Sequence, residues 1–251
     1  MNYTIYTLEK KPGYRQHINR LSDASWPTFL LHGDITRWSL LFDRFPEYQL
    51  LMVDADGTLI AAGHTVPIPW NGKRADLPSS MEDILIRAEG ADDQQMAPDA
   101  LCAMSAMVSA DYRGQQLSSK LLREMRALTS RHALSALLAP VRPIWKSRYP
   151  LIPMARYVAW TREDGAAVDP WIRVHRRLGA EPLCVAPNTL TVEASIAEWE
   201  EWTGETVYGS GKYIIPGALR PVIMDCEKDV GRYEDPNYWM KHPVEEQESQ
   251  G

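Results

Sequence analysis

The chain has 251 residues, 45% of them hydrophobic, which is enough for a folded core and excludes an intrinsically disordered chain. Its net charge of −6 at pH 7 argues against a nucleic-acid-binding surface. No stretch has the composition of a signal peptide or the length of a membrane span, and the three distant cysteines (Cys102, Cys184 and Cys226) indicate neither a disulfide framework nor a metal site. We therefore expect a cytoplasmic protein with no metal and no nucleic-acid or membrane partner.

The first hundred residues predict alternating helices and strands, because apolar residues recur at helical or strand spacing between turn signals. Asp34 is the expected N-cap of one helix, and Ser79 and Glu82 form an expected capping box for another. The predicted elements are a strand (3–8), a helix (14–21), a helix from Asp34 to Pro46, two strands (49–54 and 58–66) joined by a hairpin at Ala55-Asp-Gly57, and a short helix from the capping box through Arg87.

The centre of the chain predicts a buried strand, a tight turn and a helix in direct succession. Residues 101–108 are almost wholly apolar, Arg113-Gly114 forms the turn, and Leu117 begins a helical apolar repeat. The first N–H groups of a helix have no intrahelical partner, and the helix dipole adds positive charge there. This arrangement predicts an anion-binding site.

The second half predicts another strand at 134–141, followed by a segment from Pro140 to Pro170 that is too rich in proline for regular structure. Asp169-Pro170 then gives a strong helix start, and Gly179 is the expected end of that helix. Further strands are expected at 182–186 and 189–194, followed by a helix from a capping box at Ser195–Glu198. The remaining tail is interpreted as a strap packed over the domain, with its last acidic residues disordered.

Two motifs resemble those of the GNAT superfamily, the acyl-CoA-dependent N-acyltransferases. The turn Arg113-Gly-Gln-Gln-Leu-Ser118 is similar to the superfamily's motif A, Arg/Gln-x-x-Gly-x-Gly/Ala, although Gln116 stands in place of the central glycine. Val174-His-Arg-Arg-Leu-Gly-Ala180 is similar to the recurring Phe-Tyr-x-x-Leu-Gly-Phe, at the proper distance downstream. On this resemblance the chain is identified as a divergent, bacterial-type member of the superfamily.

The resemblance implies an α/β (α+β) fold with a mixed, mostly antiparallel central sheet flanked by helices, and a C-terminal extension. Residues 1–195 would form the acyltransferase domain, with insertions at about 67–98 and 140–170, and residues 196–251 a helix and strap packed on it. The amides of the turn would bind the pyrophosphate of coenzyme A, and pantetheine would lie where the strands at 101–108 and 134–141 separate. The implied cofactor-binding residues are Val108, Arg113, Gly114, Gln115, Gln116, Leu117, Ser118 and Ser119.

Three catalytic roles follow from the resemblance. His175 stands where the superfamily has a tyrosine that protonates the departing thiolate; the alternative is a partly exposed histidine near the negative end of the helix dipole. His64 is a candidate general base, or else a structural histidine, and Asp111 is a second candidate that more simply shapes the turn. A backbone N–H at Met107 or Val108 would stabilise the oxyanion.

The proline-rich segment would lie at the mouth of the coenzyme site, so Arg142, Trp145, Lys146 and Tyr149 are its candidate substrate-binding residues. The function expected is transfer of an acyl group, most simply acetyl, from acyl-CoA to a small-molecule amine. Three alternatives stay open: a GNAT-like decarboxylase, an acyltransferase that uses a carrier protein, and a catalytically degenerate acyl-CoA-binding domain. A homodimer contact also stays open.

Overall fold

The computed structural model describes residues 2–244, so the predicted disorder of the last acidic residues lies outside the described range. Within that range the chain forms nine strands and seven α-helices. The strands are β1 (Tyr3–Thr7), β2 (Gln49–Asp54), β3 (Leu59–Ile68), β4 (Ala100–Val108), β5 (Ala136–Val141), β6 (Glu181–Ala194), β7 (Gly211–Tyr213), β8 (Val222–Asp225) and β9 (Val230–Pro243). The helices are α1 (Arg15–Ser25), α2 (Leu40–Asp43), α3 (Met81–Asp93), α4 (Leu117–Arg131), α5 (Met154–Tyr157), α6 (Pro170–Arg177) and α7 (Ile196–Thr203).

All nine strands belong to one sheet, in the order β1-β2-β3-β4-β5-β9-β8-β7, and β6 pairs with the other edge of β9. Every pairing is antiparallel except that of β4 with β5. The parallel pair needs a crossover connection, which α4 supplies. The predicted mixed, mostly antiparallel sheet flanked by helices is therefore confirmed.

The parallel pair parts soon after it forms. Ala100–Cys102 pair with Ala136–Leu138, and beyond these three residues the two strands share no further pairing, although both continue. The pairing of β4 with β3 skips Met104, since His64 lies opposite Ser105 and Thr65 opposite Ala103. A residue left over in one strand is a β-bulge, which bends that strand. The bulge therefore lies where β4 turns away from β5.

The C-terminal tail is not only a covering strap. Its last strand, β9, lies inside the sheet, because residues 238–243 pair with β5 while β6 pairs along its other edge. Tyr233, Trp239 and Met240 on this strand are buried. The sequence did not predict the strand because its partner β5 lies about a hundred residues earlier. The division of domains at residue 195 stays a prediction.

Two expected helix starts are wrong. Asp34 does not cap α2, because that helix begins only at Leu40. The Asp34 carboxylate instead accepts a hydrogen bond from the backbone N–H of Thr191 at 2.9 Å. Helix α3 is capped by Ser80, which accepts the N–H of Asp83, so the capping box at Ser79 and Glu82 was placed one residue too early.

The Asp169 carboxylate organises the proline-rich segment. It is buried, and one oxygen accepts the N–H groups of Trp171 and Ile172, which caps α6 as the sequence predicted. Its other oxygen accepts the backbone N–H of Trp145 and the hydroxyl of Tyr157, each at 2.8 Å. One side chain thus joins the loop after β5, α5 and α6.

We expect Asp169→Ala to lower the free energy of unfolding by roughly 3 kcal/mol, because it leaves several buried donors without an acceptor. The matched control is Ser195→Ala, which removes the exposed capping box of α7 and should cost about 1 kcal/mol. Urea denaturation of both variants measures the two losses. Equal losses would contradict the organising role of Asp169.

Candidate active site

A cavity of about 1110 Å³ opens where β4 and β5 separate. Residues 103–108 of β4 and 139–141 of β5 form its inner walls, α1 and α2 contribute to one side, and the turn before α4 lies along its edge. This is slightly above the usual volumes of small-molecule sites. The sequence-predicted residues that line it are His64, Met107, Val108, Arg113, Gly114, Gln116, Leu117, Ser118, Arg142 and His175.

The turn before α4 presents backbone N–H groups. The N–H of Arg113 donates to the carbonyl of Ala110. The run of backbone N–H groups without an acceptor therefore begins at Gly114, one residue later than predicted from the sequence. Within residues 2–244 the N–H groups of Gly114, Gln115 and Gln116 have no hydrogen-bond acceptor, and all three residues are exposed. Gln115 and Ser119 are not among the described residues that line the cavity.

Gln116 adopts the left-handed conformation, with φ of 60° and ψ of 19°, at the N-cap of α4. That conformation favours glycine, which explains why motif A carries a glycine at this position. Gly114 also has a positive φ, of 81°. The turn therefore keeps the backbone shape of the motif although a glutamine replaces the glycine.

The register of β4 decides between the two backbone donors proposed for the oxyanion. The N–H of Ser109 donates to Ile60 on β3, so the N–H of Met107, two residues earlier, points to β3 as well. The N–H of Val108 points to the opposite edge, where β5 has moved away. The register thus favours Val108 over Met107, whose side chain still lines the cavity.

His64 is fully buried in the cavity wall, and its neighbours determine its tautomer. The Gln49 amide donates through Nε2 to the carbonyls of Phe45 and Thr65, at 2.8 and 2.9 Å, which leaves its Oε1 as an acceptor 3.1 Å from His64 Nδ1. Nδ1 of His64 therefore carries the proton, and Nε2 keeps a lone pair. Burial, with a smaller contribution from Arg15, lowers the pKa of His64 to about 3.

His175 is also buried, so the alternative of a partly exposed, charged helix histidine is wrong. Its Nδ1 lies 2.9 Å from Nε2 of His242 on β9, and the Trp171 ring meets its edge. Burial, and then His242, lower the pKa of His175 well below its usual value. His175 is therefore neutral at pH 7.

Four cavity-lining side chains carry a buried polar atom that has no partner within the described chain: His64 Nε2, Ser105 Oγ, His175 Nε2 and Asn237 Oδ1. Buried polar atoms are nearly always paired in folded proteins, and clustered exceptions point to a functional site.

Gln49, Asn237 and His242 were not predicted from the sequence, because no local pattern marks a side chain that acts through distant strands.

The predicted substrate-binding residues are mostly used by the fold. The guanidinium of Arg142 lines the cavity but donates to the Asp235 carboxylate at 3.0 Å and to the carbonyl of Gly217. Lys146 is buried, and its ammonium donates to the carbonyls of Tyr149 and Leu219; burial, then Arg220, lowers its pKa to about 8.

Trp145, Lys146 and Tyr149 are not among the described residues that line the cavity, and neither is Asp111. The substrate-binding role of the first three stays a prediction.

Within residues 2–244 no group of three or more histidine, cysteine or acidic side chains is placed to hold a metal ion. In the same range no helix combines the length and apolarity that crossing a membrane requires.

The buried histidines predict acid sensitivity. The folded pKa of His64, about 3, lies below the usual value of 6.5, so unfolding takes up a proton between these pH values and stability falls as the pH is lowered from 6.5. We expect His64→Gln to reduce the slope of the free energy of unfolding against pH by roughly 1 kcal/mol per pH unit. Urea denaturation between pH 7 and 4.5 measures it.

The control for this prediction is His132→Gln, at an exposed histidine, which should keep the slope of the parent. A His64→Gln protein with the parent slope would show that His64 is protonated in the folded state.

Comparison with known proteins gives a consistent result. No family model matches the chain. An arginine N-acetyltransferase, avaD, from Aspergillus versicolor is 29% identical to it, over 96% of this chain and 94% of the relative. The loading GNATL domain of CurA from Lyngbya majuscula has a TM-score of 0.64 at 13% identity, covering 97% of this chain and 98% of that one.

The GphF GNAT-like decarboxylase, solved in complex with isobutyryl-CoA, has a TM-score of 0.59 at 14% identity, covering 98% of this chain and 100% of that one. At such identities the two solved structures establish the fold alone. The bacterial type predicted from the sequence is not tested by these comparisons. The chain thus has the fold of these two GNAT-like structures and is similar to an arginine N-acetyltransferase over nearly its whole length.

Proposed function

We propose that the protein transfers an acyl group, most simply acetyl, from acyl-CoA to a small-molecule amine. The observation that carries the proposal is one cavity that joins a turn of free amides to the gap between β4 and β5, with unpartnered buried imidazole nitrogens along its wall. The relative avaD, an arginine N-acetyltransferase, supports the same reaction.

The turn before α4 is the proposed phosphate site. Three consecutive free N–H groups, at Gly114, Gln115 and Gln116, precede a helix of 15 residues whose dipole favours negative charge at this end. Backbone donors need no side chain, so a diphosphate can bind there although motif A is altered. Arg113 and Ser118, which line the cavity beside these amides, complete the site.

From that turn the pantetheine chain would run into the gap between the strands. A chain lying there pairs with the backbone groups of β4 that β5 leaves free, as an added strand does. The thioester carbonyl would then meet the N–H of Val108, which points into the gap. This N–H stabilises the oxyanion of the tetrahedral intermediate.

On the acceptor side, His64 Nε2 accepts one N–H of the amine and orients the nitrogen lone pair toward the thioester carbon. The rings of Trp38 and Phe42 pack nearly perpendicular to the imidazole ring, with centroids 6.1 and 5.0 Å away, which gives it an apolar surrounding. Because the pKa of His64 is about 3, this imidazole accepts a hydrogen bond without retaining the proton.

The reaction forms a C–N bond and breaks the C–S bond. The amine nitrogen attacks the carbonyl carbon, the carbonyl electrons move to oxygen, and the ammonium formed passes one proton to His175 Nε2, which is neutral and has no partner within the described chain. As the oxyanion collapses, the C–S electron pair goes to sulfur, and His175, lining the same cavity, is the proposed donor of the proton that completes the thiol. The products are an amide and coenzyme A.

The finer proposal is that the amine carries a second cationic group, as arginine does. The unpartnered Oδ1 of Asn237 is an acceptor for such a group, since Nδ2 of the same amide already donates to Thr189 Oγ1. Asp23 on α1, exposed along the cavity, adds a carboxylate that suits a guanidinium.

The test is release of free thiol from acetyl-CoA by the purified protein, with and without an amine. We expect arginine to stimulate thiol release and to gain the mass of an acetyl group, and an arylalkylamine without a second cationic group to be the poorer acceptor. Asn237→Leu should raise KM for arginine while leaving KM for acetyl-CoA unchanged, because only the acceptor site changes. Thiol release that no amine stimulates, or carbon dioxide released from malonyl-CoA instead, would contradict the proposal.

The phosphate site gives a separate prediction. Gly114→Ala places a side chain at φ of 81°, which distorts the turn, so we expect about tenfold weaker binding of coenzyme A by calorimetry. Gly72→Ala is the matched control: its φ is 80°, and at both glycines an added Cβ meets no atom within 4 Å. Both variants should lose about 1 kcal/mol of stability, but only Gly114→Ala should lose affinity. Equal affinities would exclude the turn as the phosphate site.

A further inference from the structure

We propose that His175 and His242 form a two-imidazole proton relay that connects the reaction cavity to a second cavity beside α4. The inference rests on the proposed function, because it describes how protons reach and leave the same site. It adds His242, a residue of the last strand, as a positioning residue that acts through His175.

The geometry is that of a continuous chain of nitrogens. Nδ1 of His175 and Nε2 of His242 lie 2.9 Å apart, so one of them donates to the other. The outer nitrogen of each ring, His175 Nε2 and His242 Nδ1, is buried and has no side-chain partner within residues 2–244, and the Leu178 carbonyl lies close enough to His242 to favour its protonated form. The hydrogen bond between the rings therefore joins two buried nitrogens, one on each outer side of the pair.

The two ends meet different spaces. His175 lines the cavity between β4 and β5, whereas His242 lines a separate cavity of about 200 Å³. The second cavity lies among α4, β5 and β9, and its polar lining includes Arg123, Arg126 and Ser130. It is large enough for water, which can carry protons onward.

The surroundings explain why one imidazole is not sufficient. Burial makes an extra positive charge costly on either ring, and it lowers the pKa of His242 to about 4, where Arg126 opposes protonation and the Leu178 carbonyl favours it. A relay avoids that charge, because each ring accepts a proton at one nitrogen while it releases another proton from the second nitrogen.

In one half of the cycle the relay removes a proton. His175 begins with its proton on Nδ1 and His242 with its proton on Nδ1. The ammonium of the tetrahedral intermediate gives a proton to His175 Nε2, the Nδ1 proton of His175 passes to His242 Nε2, and the Nδ1 proton of His242 passes to water in the second cavity. Both rings end neutral, each with its proton on Nε2.

In the other half the relay returns a proton. When the C–S bond breaks, His175 Nε2–H gives its proton to the sulfur, the Nε2 proton of His242 moves to His175 Nδ1, and water supplies a proton to His242 Nδ1. The first arrangement is restored, and one proton has left and one has entered. No further reactant is required.

The test is His242→Gln, whose side-chain N–H can still donate to His175 Nδ1 but does not transfer its proton. We expect kcat to fall about 100-fold, with KM for acetyl-CoA and for the amine unchanged. The solvent isotope effect of the parent should require more than one moving proton, and that of the variant only one. The matched control is His132→Gln, at an exposed histidine, which should keep the parent kinetics.

If the two histidines were only structural, His242→Gln would preserve kcat. Alternatively, its loss of kcat would be no larger than that of another variant with the same decrease in melting temperature. His242→Gln with parent kcat and parent isotope effect therefore overturns the relay.

A second measurement separates this inference from the proposed function. If the parent releases no thiol with any amine, the proposed function fails, and ¹⁵N spectra of the histidine rings then judge the relay alone. The relay predicts that both rings exchange between the two paired tautomers and that bound coenzyme A shifts their balance. One fixed tautomer on each ring, unchanged by coenzyme A, would overturn the relay whether or not turnover is seen.

Discussion

The separation of β4 from β5 is the constraint on which the rest of the structure depends. Two parallel strands that part after three residue pairs leave backbone N–H and C=O groups on both inner edges without a partner. A protein tolerates such edges where a ligand or water satisfies them, and otherwise closes them. Here the bulge at Met104 holds β4 away, while β9 pairs with β5 along its whole length and fixes it from the other side. The gap therefore follows from the strand pairing of the sheet.

The electrostatic character of this gap follows from its depth. The imidazoles of His64 and His175 are both buried, and burial keeps their pKa values low, so the cavity presents neutral rings with directional lone pairs. Neutral rings suit a reaction in which an uncharged amine must attack a carbonyl, because they orient the nitrogen without binding its protonated form strongly. The ion pair between the half-buried Arg142 and the buried Asp235 serves instead to fix the loop after β5 to β9.

Local signals in the sequence predicted the parts of the site that are made locally. Asp169, Pro170 and Gly179 determine where α6 begins and ends, and so where His175 lies; the Arg113-Gly114 turn is likewise set by its own residues. What the sequence could not show depends on pairing across long separations. The tautomer of His64 is fixed by Gln49 on a neighbouring strand, and His242 reaches His175 only because β9 enters the sheet. The sequence could not show either that Lys146 and Arg142, predicted to bind substrate, donate to carbonyls and a carboxylate from distant segments; their substrate-binding role stays a prediction.

In the proposed complex, acyl-CoA lies along the gap with its diphosphate at the turn before α4 and its sulfur between Val108 and His175. A crystal structure of the protein with bound coenzyme A tests it most directly. We expect the diphosphate within hydrogen-bond distance of the N–H groups of Gly114, Gln115 and Gln116, and the sulfur inside the cavity near His175 Nε2. A coenzyme bound elsewhere, or a turn occupied by the Gln116 side chain in the presence of excess coenzyme, would contradict the account.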